Sequence, residues 1–187
     1  MPDIPMALAV ALAAALALLA ASRARELRLS SRNERRMRAR GGHGAPGGLF
    51  PLFVALHVAW PLALVAEVAL AGARPGTLWP LWLVLVASGE GLRFSAMRAL
   101  GDRWSARVYV VPGEPRVRRG PYRFLAHPNY LGVVLELAAL PLLFGAWRTA
   151  LAAGVVNALL LALRIRVEDR ALRASERAPF DPGVRSG

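Results

Sequence analysis

Long apolar runs separated by clusters of arginine constrain this chain more than any other feature. A helix that crosses a bilayer needs roughly 20 mostly apolar residues. Ile4 to Ala21 and Leu49 to Ala71 meet that need. Leu78 to about Phe94 is a third run, with Glu90 and Arg93 near its end. Leu131 to about Gly145 and Thr149 to about Leu163 are a fourth and fifth, each only about 15 residues. The expected fold is all-α: a polytopic membrane bundle of about five transmembrane helices, with residues 1–187 as one membrane domain. The last two runs read as a helical hairpin.

Composition excludes the main alternative. Of 187 residues, 56% are hydrophobic and 19% charged, too little polar material to coat a soluble domain of this size. The net charge of +12 comes entirely from arginine, since the chain has no lysine. Such a balance fits nucleic acid or an anionic membrane surface. The arginines lie in the gaps between apolar runs, with no aromatic-interleaved basic patch, so no nucleic-acid partner is expected. The absence of cysteine rules out disulfides and thiolate metal sites, and no metal is expected.

The arginines also orient the bundle, because cytoplasmic loops collect basic residues. Arg23 to Arg40 holds eight arginines, Arg93 to Arg123 eight more, and the tail from Arg164 to Arg185 six. Only Arg74 and Arg148 fall in the opposite loops. Five spans then put the N-terminus outside and the C-terminus in the cytosol. The first run reads as a retained span rather than a cleaved signal, because Asp3 precedes it and the arginines follow. Arg23 to Arg40 reads either as a short juxtamembrane helix on the headgroups or as a solvated loop. Residues 1–72 therefore look like anchor spans plus an arginine-rich cytosolic loop.

Gly42-His43-Gly44-Ala45-Pro46-Gly47 formally matches G-x-G-x-x-G. That pattern binds a dinucleotide only between a strand and a helix of a βαβ unit. Here it follows an arginine-rich linker and precedes a span, so it reads as a loop. The informative stretch is Arg119 to Gly132. Gly120-Pro121 marks a turn, and Pro128 suits the first position of a helix. His127 then falls near a helix N-cap, where free N–H groups favour an anion such as a cofactor carboxylate. Asn129, Gly132 and Glu136 share one helical face, and Asn157, Arg164 and Glu168 share another. Two such stripes on adjacent short helices could wall one water-accessible pocket at the cytosolic side, although Arg164 and Glu168 could equally be a plain i,i+4 surface pair. His57, Glu67 and Glu90 carry weaker signals. Glu90 and Arg93, three apart, could pair, and His57 reads as an interhelical hydrogen-bonding group.

At these residues the chain resembles the isoprenylcysteine carboxyl methyltransferase family. The family pattern G-x-Y-R-x-x-R-H-P-x-Y-x-G corresponds to Gly120 through Gly132. Its second element, R-x-x-x-E-E-x-x-L, corresponds to Arg164 through Leu172. There are two departures: Ala126 stands where the family has arginine, and Asp169 replaces the second glutamate. The resemblance covers about residues 88–173 and marks them as the catalytic region. It implies an S-adenosylmethionine-dependent O-methyltransferase in the cell's inner or plasma membrane, its active site facing the cytosol. His127, Pro128, Asn129, Tyr130, Gly132 and Tyr122 would form the cofactor pocket. Glu168 would lie between cofactor and acceptor, and Arg164 or Arg123 would hold the acceptor anion. Arg119 or Arg123 could stand in for the arginine missing at 126. With Trp104 to Gly113, the pattern is similar to a bacterial subgroup linked to O-methylation of alkylpyrone or alkylresorcinol lipids, so a lipophilic hydroxyl or carboxyl acceptor is expected. The alternatives are a phospholipid or amine N-methyltransferase, an NADPH-dependent membrane reductase with a similar H-P-N-Y turn, and a non-catalytic membrane subunit. Val133 stands where many reductases have glutamate.

Overall fold

A computed structural model of the chain describes residues 4–46 and 49–177. Asp3, Gly47 of the G-x-G-x-x-G match and Arg185 of the basic tail lie outside them. Five long helices dominate: α1 (Met6–Arg38), α2 (Phe50–Leu70), α3 (Trp79–Leu100), α4 (Pro128–Leu143) and α5 (Trp147–Arg177). Pro51, Pro80 and Pro128 occupy the first two positions of α2, α3 and α4. There the missing N–H costs nothing and the fixed φ favours a helix start.

Among the described residues, α1, α2 and α5 are long and apolar enough to cross a membrane. The apolar α4 is shorter, at 16 residues. In the second half of α3, Glu90, Arg93 and Arg98 break the apolar run. Val10, Leu18, Val58, Leu62, Leu151 and Leu159 are large, apolar and exposed on the three long helices, as a hydrocarbon solvent requires.

Two expectations are corrected. The fifth helix is not short: α5 runs for 31 residues and carries both the apolar run and the polar element after it. The arginine-rich stretch is neither a separate helix nor a loop. It continues the first apolar run as one 33-residue helix, about 50 Å long at 1.5 Å per residue. Nothing between Ala21 and Arg38 breaks it, as no Gly or Pro occurs there.

Helix α2 packs on α5, α5 on α4, and α4 on α3. Trp60, Leu64, Val68, Leu137, Leu140 and Phe144 form the heart of the apolar core, which Leu12 of α1 joins. The closest approach, between α3 and α4, depends on glycine. A Cβ on Gly132 would lie 2.4 Å from Arg93 Cγ and 2.8 Å from the Gly89 carbonyl oxygen. Small residues let helix backbones meet in this way. The turn from α4 into α5 is as tight: a Cβ on Gly145, whose φ is +77°, would lie 1.9 Å from the Arg74 carbonyl oxygen. Glu67 of α2 caps α5, accepting from the backbone N–H of Arg148 (3.1 Å) and from the N–H and hydroxyl of Thr149 (2.7 Å each). A carboxylate there satisfies orphan donors and meets the positive end of the helix dipole.

The second half of α1 supports the long α3–α4 connection. Glu26, Ser30, Asn33 and Met37 are buried at spacings of four, three and four, hence on one face. Asn33 Nδ2 donates to the carbonyls of Gly101 (3.0 Å) and Trp104 (2.9 Å). Ser30 Oγ accepts from the Ala106 N–H at 3.0 Å, and Glu34 accepts from Ser105 at 2.6 Å. Two short strands, β1 (His43–Gly44) and β2 (Tyr109–Val110), pair antiparallel. This ladder is the one departure from all-α structure among the described residues. It holds His43 and Gly44 of the G-x-G-x-x-G match, and no βαβ unit surrounds them among the described residues.

Candidate active site

His127 is the N-cap residue of α4, with φ −133° and ψ 63°. Its ring stacks on Tyr130 at 5.2 Å between centroids and 9° between planes. Tyr130 lies one turn into the helix, so the cap geometry and the helical repeat bring the two rings together. The Tyr130 hydroxyl donates to Glu168 and accepts from Arg164 Nε at 2.8 Å. Arg164 Nη2 donates to the Ala106 carbonyl at 2.6 Å. Its guanidinium also lies over the rings of Phe53 (5.0 Å) and Tyr130 (5.3 Å). Arg164 and Glu168 are therefore not a simple i,i+4 surface pair. A tyrosine from α4 bridges them, and the loop before β2 fixes the guanidinium.

This bridge separates two openings. On one side is a polar cleft of about 1080 Å³, solvent included, whose lining includes Tyr122, Ala126, His127, Glu168 and Arg116. On the other is a more apolar pocket of about 930 Å³, whose lining includes Phe53, His57, Val58, Val133 and Leu161. Asn129, Tyr130 and Arg164 line both.

The remaining expected residues fall in different places. Asn129 Oδ1 is buried without a hydrogen-bond partner. Burial and the neighbouring Glu168 carboxylate push the Tyr122 phenol well above its usual range, so it stays a neutral donor. Pro128 and Gly132 are buried within α4 and line neither opening; Gly132 faces α3. Arg123 is exposed, its guanidinium 5.5 Å from the Phe124 ring centre, and it lines neither opening. Asn157 is buried in α5 away from both, and its Oδ1 has no partner. Arg119 donates to the Ala99 carbonyl at 2.8 Å. A different cation stands near His127: Arg116 approaches Asp169 at 3.4 Å, and Asp169 lies 3.8 Å from His127 Nε2. Arg116 lies in an irregular loop, where helical spacing carries no signal.

Beside the apolar pocket is a charged cluster that sequence reasoning missed. Arg93 reaches Glu26 (2.8 and 2.6 Å) and Glu136 (2.9 Å). Arg23 reaches Glu26 (2.9 Å), Glu90 (3.1 Å) and Glu136 (3.2 Å). Glu90 thus pairs across helices with Arg23, not with Arg93 three residues on. Arg93 is 3% exposed and Glu136 1%, so three helices are joined through desolvated charge. Glu90, Arg93 and Glu136 stood out in the sequence, but their partners Arg23 and Glu26 did not, lost in the arginine-rich stretch.

The residues of the polar cleft fit S-adenosylmethionine in kind. That molecule is zwitterionic and aromatic, and the cleft offers arginines for a carboxylate, Glu168 for cationic or hydroxyl groups, and the stacked His127–Tyr130 pair. The orphaned Asn129 Oδ1 is an acceptor still in need of a donor.

The profile of the isoprenylcysteine carboxyl methyltransferase (ICMT) family matches residues 82–174. The chain is 35% identical over 155 residues to the uncharacterized protein YpbQ of Bacillus subtilis (strain 168), covering 83% of this chain and 92% of that one. It is 27% identical over 155 residues to an uncharacterized protein of Haemophilus influenzae, covering 82% of this chain and 90% of that one. No solved structure matches it.

Proposed function

The chain belongs to the isoprenylcysteine carboxyl methyltransferase family, a family of membrane methyltransferases, and on that premise we propose that it moves a methyl group from S-adenosylmethionine to a lipophilic hydroxyl or carboxyl acceptor. The observation that carries this reading is the Tyr130–Arg164–Glu168 bridge, with a polar opening on one side and an apolar one on the other. A methyl donor and a lipid acceptor differ in polarity, and they must meet end to end without sharing a solvent.

When bound, the cofactor supplies a methyl group on a sulfonium, already an activated electrophile. The protein then has mainly to align and desolvate the partners. His127, Tyr130, Asn129 and Tyr122 would hold the cofactor, with Arg116 near its carboxylate in the place of the arginine missing at 126. Arg164, held by Ala106 and Tyr130, would orient the acceptor oxygen from the wall between the openings. Glu168, bonded to the Tyr130 hydroxyl, would keep that wall in place.

The acceptor enters from the bilayer, through the apolar side, and the cofactor from the cytosol. The split of arginines between loops supports five spans, N-terminus outside, with the cleft on the cytosolic face. A phenolic or pyrone lipid of polyketide type is the favoured acceptor. Labelled methyl transfer from S-adenosylmethionine to an alkylpyrone, a farnesylcysteine analogue and a phospholipid tests this, alongside binding of S-adenosylhomocysteine. Label in the first or second, with none in the phospholipid, is the expected result. Label in the phospholipid alone would favour an N-methyltransferase. Binding of NADPH without S-adenosylhomocysteine would favour a reductase, and neither binding nor transfer a non-catalytic subunit.

A further inference from the structure

His57 lies on α2, about 10 Å from the cytosolic end of that helix at 1.5 Å per residue. It lines the apolar pocket together with Tyr130 and Arg164. Its Nδ1 is 2.8 Å from the Phe53 carbonyl oxygen. A carbonyl only accepts, so Nδ1 carries a hydrogen, and in the neutral ring Nε2 holds the free lone pair. No partner for Nε2 occurs among the described residues. The i−4 backbone bond sets the tautomer, and the ring that carries the free Nε2 lone pair lines the apolar pocket.

The other charged or titratable groups lining this pocket either have no lone pair to offer or are already engaged. Arg23 of α1, Arg93 of α3 and Arg164 of α5 are guanidiniums with no lone pair to offer. Glu26 of α1 is held by both Arg23 and Arg93. The Tyr130 hydroxyl of α4 is engaged by Arg164 and Glu168. Glu136 of α4, bonded to Arg23 and Arg93, stands behind this lining.

We propose that His57 Nε2 takes the proton of a weakly acidic hydroxyl on the methyl acceptor, so that the pocket serves a phenol or enol lipid rather than a carboxylate. The inference rests on the methyltransferase reading. A carboxylate is ionised at neutral pH and needs no base. A phenol, with a pKa near 10, gains from one. The acceptor O–H bond breaks toward Nε2 as the oxygen lone pair forms the O–CH3 bond. The C–S bond of the cofactor breaks at the same time, and its electron pair stays on the sulfur of S-adenosylhomocysteine. The proton leaves His57 for water once the ether has gone.

The test uses the full chain in detergent, with a long-chain 3-alkylphenol and a fatty carboxylate as acceptors. Without cofactor, His57→Phe is expected to weaken alkylphenol binding about tenfold and to leave binding of its methyl ether unchanged. His57→Gln, which still offers an acceptor oxygen, should bind the phenol within about threefold of wild type. Its kcat ratio of phenol to carboxylate transfer should fall about hundredfold at pH 7, and the deficit should close as pH approaches about 10. Equal alkylphenol binding by wild type and His57→Phe, or an unchanged transfer ratio in His57→Gln, overturns the proposal. Equal losses on both acceptors, flat with pH, also overturn it and make His57 a packing residue. If wild type binds no S-adenosylhomocysteine, the methyltransferase reading fails, and the cofactor-free arm still decides whether Nε2 receives the hydroxyl.

Discussion

At the residue scale, the site turns on one phenol. The Tyr130 hydroxyl hydrogen-bonds both Arg164 and Glu168, so its loss should release the guanidinium from one of its two hydrogen-bonded anchors. Tyr130→Phe keeps the ring against His127 and removes a hydrogen bond to a charged group, worth about 1.5–3 kcal/mol. We expect kcat/KM for methyl transfer to fall roughly ten- to hundredfold, and S-adenosylhomocysteine affinity to change far less. Isothermal titration beside a labelled-transfer assay measures both. His127, Arg164 and Glu168 stood out in the sequence because cap chemistry and helical spacing are local, whereas Tyr130 stood out only through the family resemblance. Arg116 and His57 were not singled out as site residues. The first is in irregular backbone, and the second resembles any polar residue in a span until the pocket beside it is seen.

At the element scale, α5 does two jobs. Its apolar first half is long enough to span a membrane, and its polar second half carries Arg164, Glu168 and Asp169 to the site. Its start is held by Glu67 of α2, which accepts two N–H groups and a hydroxyl. Glu67→Ala removes this cap and should destabilise the fold by about 1–2 kcal/mol, seen as a lower melting temperature in detergent. The cap lies at the opposite end of α5 from Glu168, so kcat well below the melting transition should stay within about twofold of wild type. The hairpin of α4 and α5 was legible from its two apolar runs around Gly145. The length of α5 was not, because charged residues beyond Leu163 read as the end of a span when they are the continuation of the same helix.

At the scale of the molecule, the charged cluster ties α1, α3 and α4 together beside the apolar pocket. Arg93→Met leaves Glu26 and Glu136 short of a buried partner, and removing one member of such a set costs about 3–5 kcal/mol. Combining it with Glu26→Gln and Glu136→Gln should recover a large part of that loss, which a double- and triple-mutant series of thermal melts would show. The proposed arrangement of five spans with the N-terminus outside is tested by single cysteines, since the chain has none. Arg148→Cys should react with an impermeant maleimide on intact cells, whereas Arg32→Cys should react only after lysis. The reverse pattern would invert the bundle.

By itself the sequence determined that the chain lives in a membrane, about where its helices begin, and which polar residues share a helical face. Apolar run length, proline position and helical spacing are all properties of contiguous residues. Only the tertiary structure decided that the arginine-rich half of α1 is a scaffold for the α3–α4 loop and that Glu90 answers to Arg23. It also placed one tyrosine between a polar and an apolar opening. Those facts depend on residues such as Glu26 and Arg93, or Tyr130 and Arg164, that lie 67 and 34 positions apart. Which of many possible partners a buried charge finds is set by how the helices pack, not by any spacing along the chain.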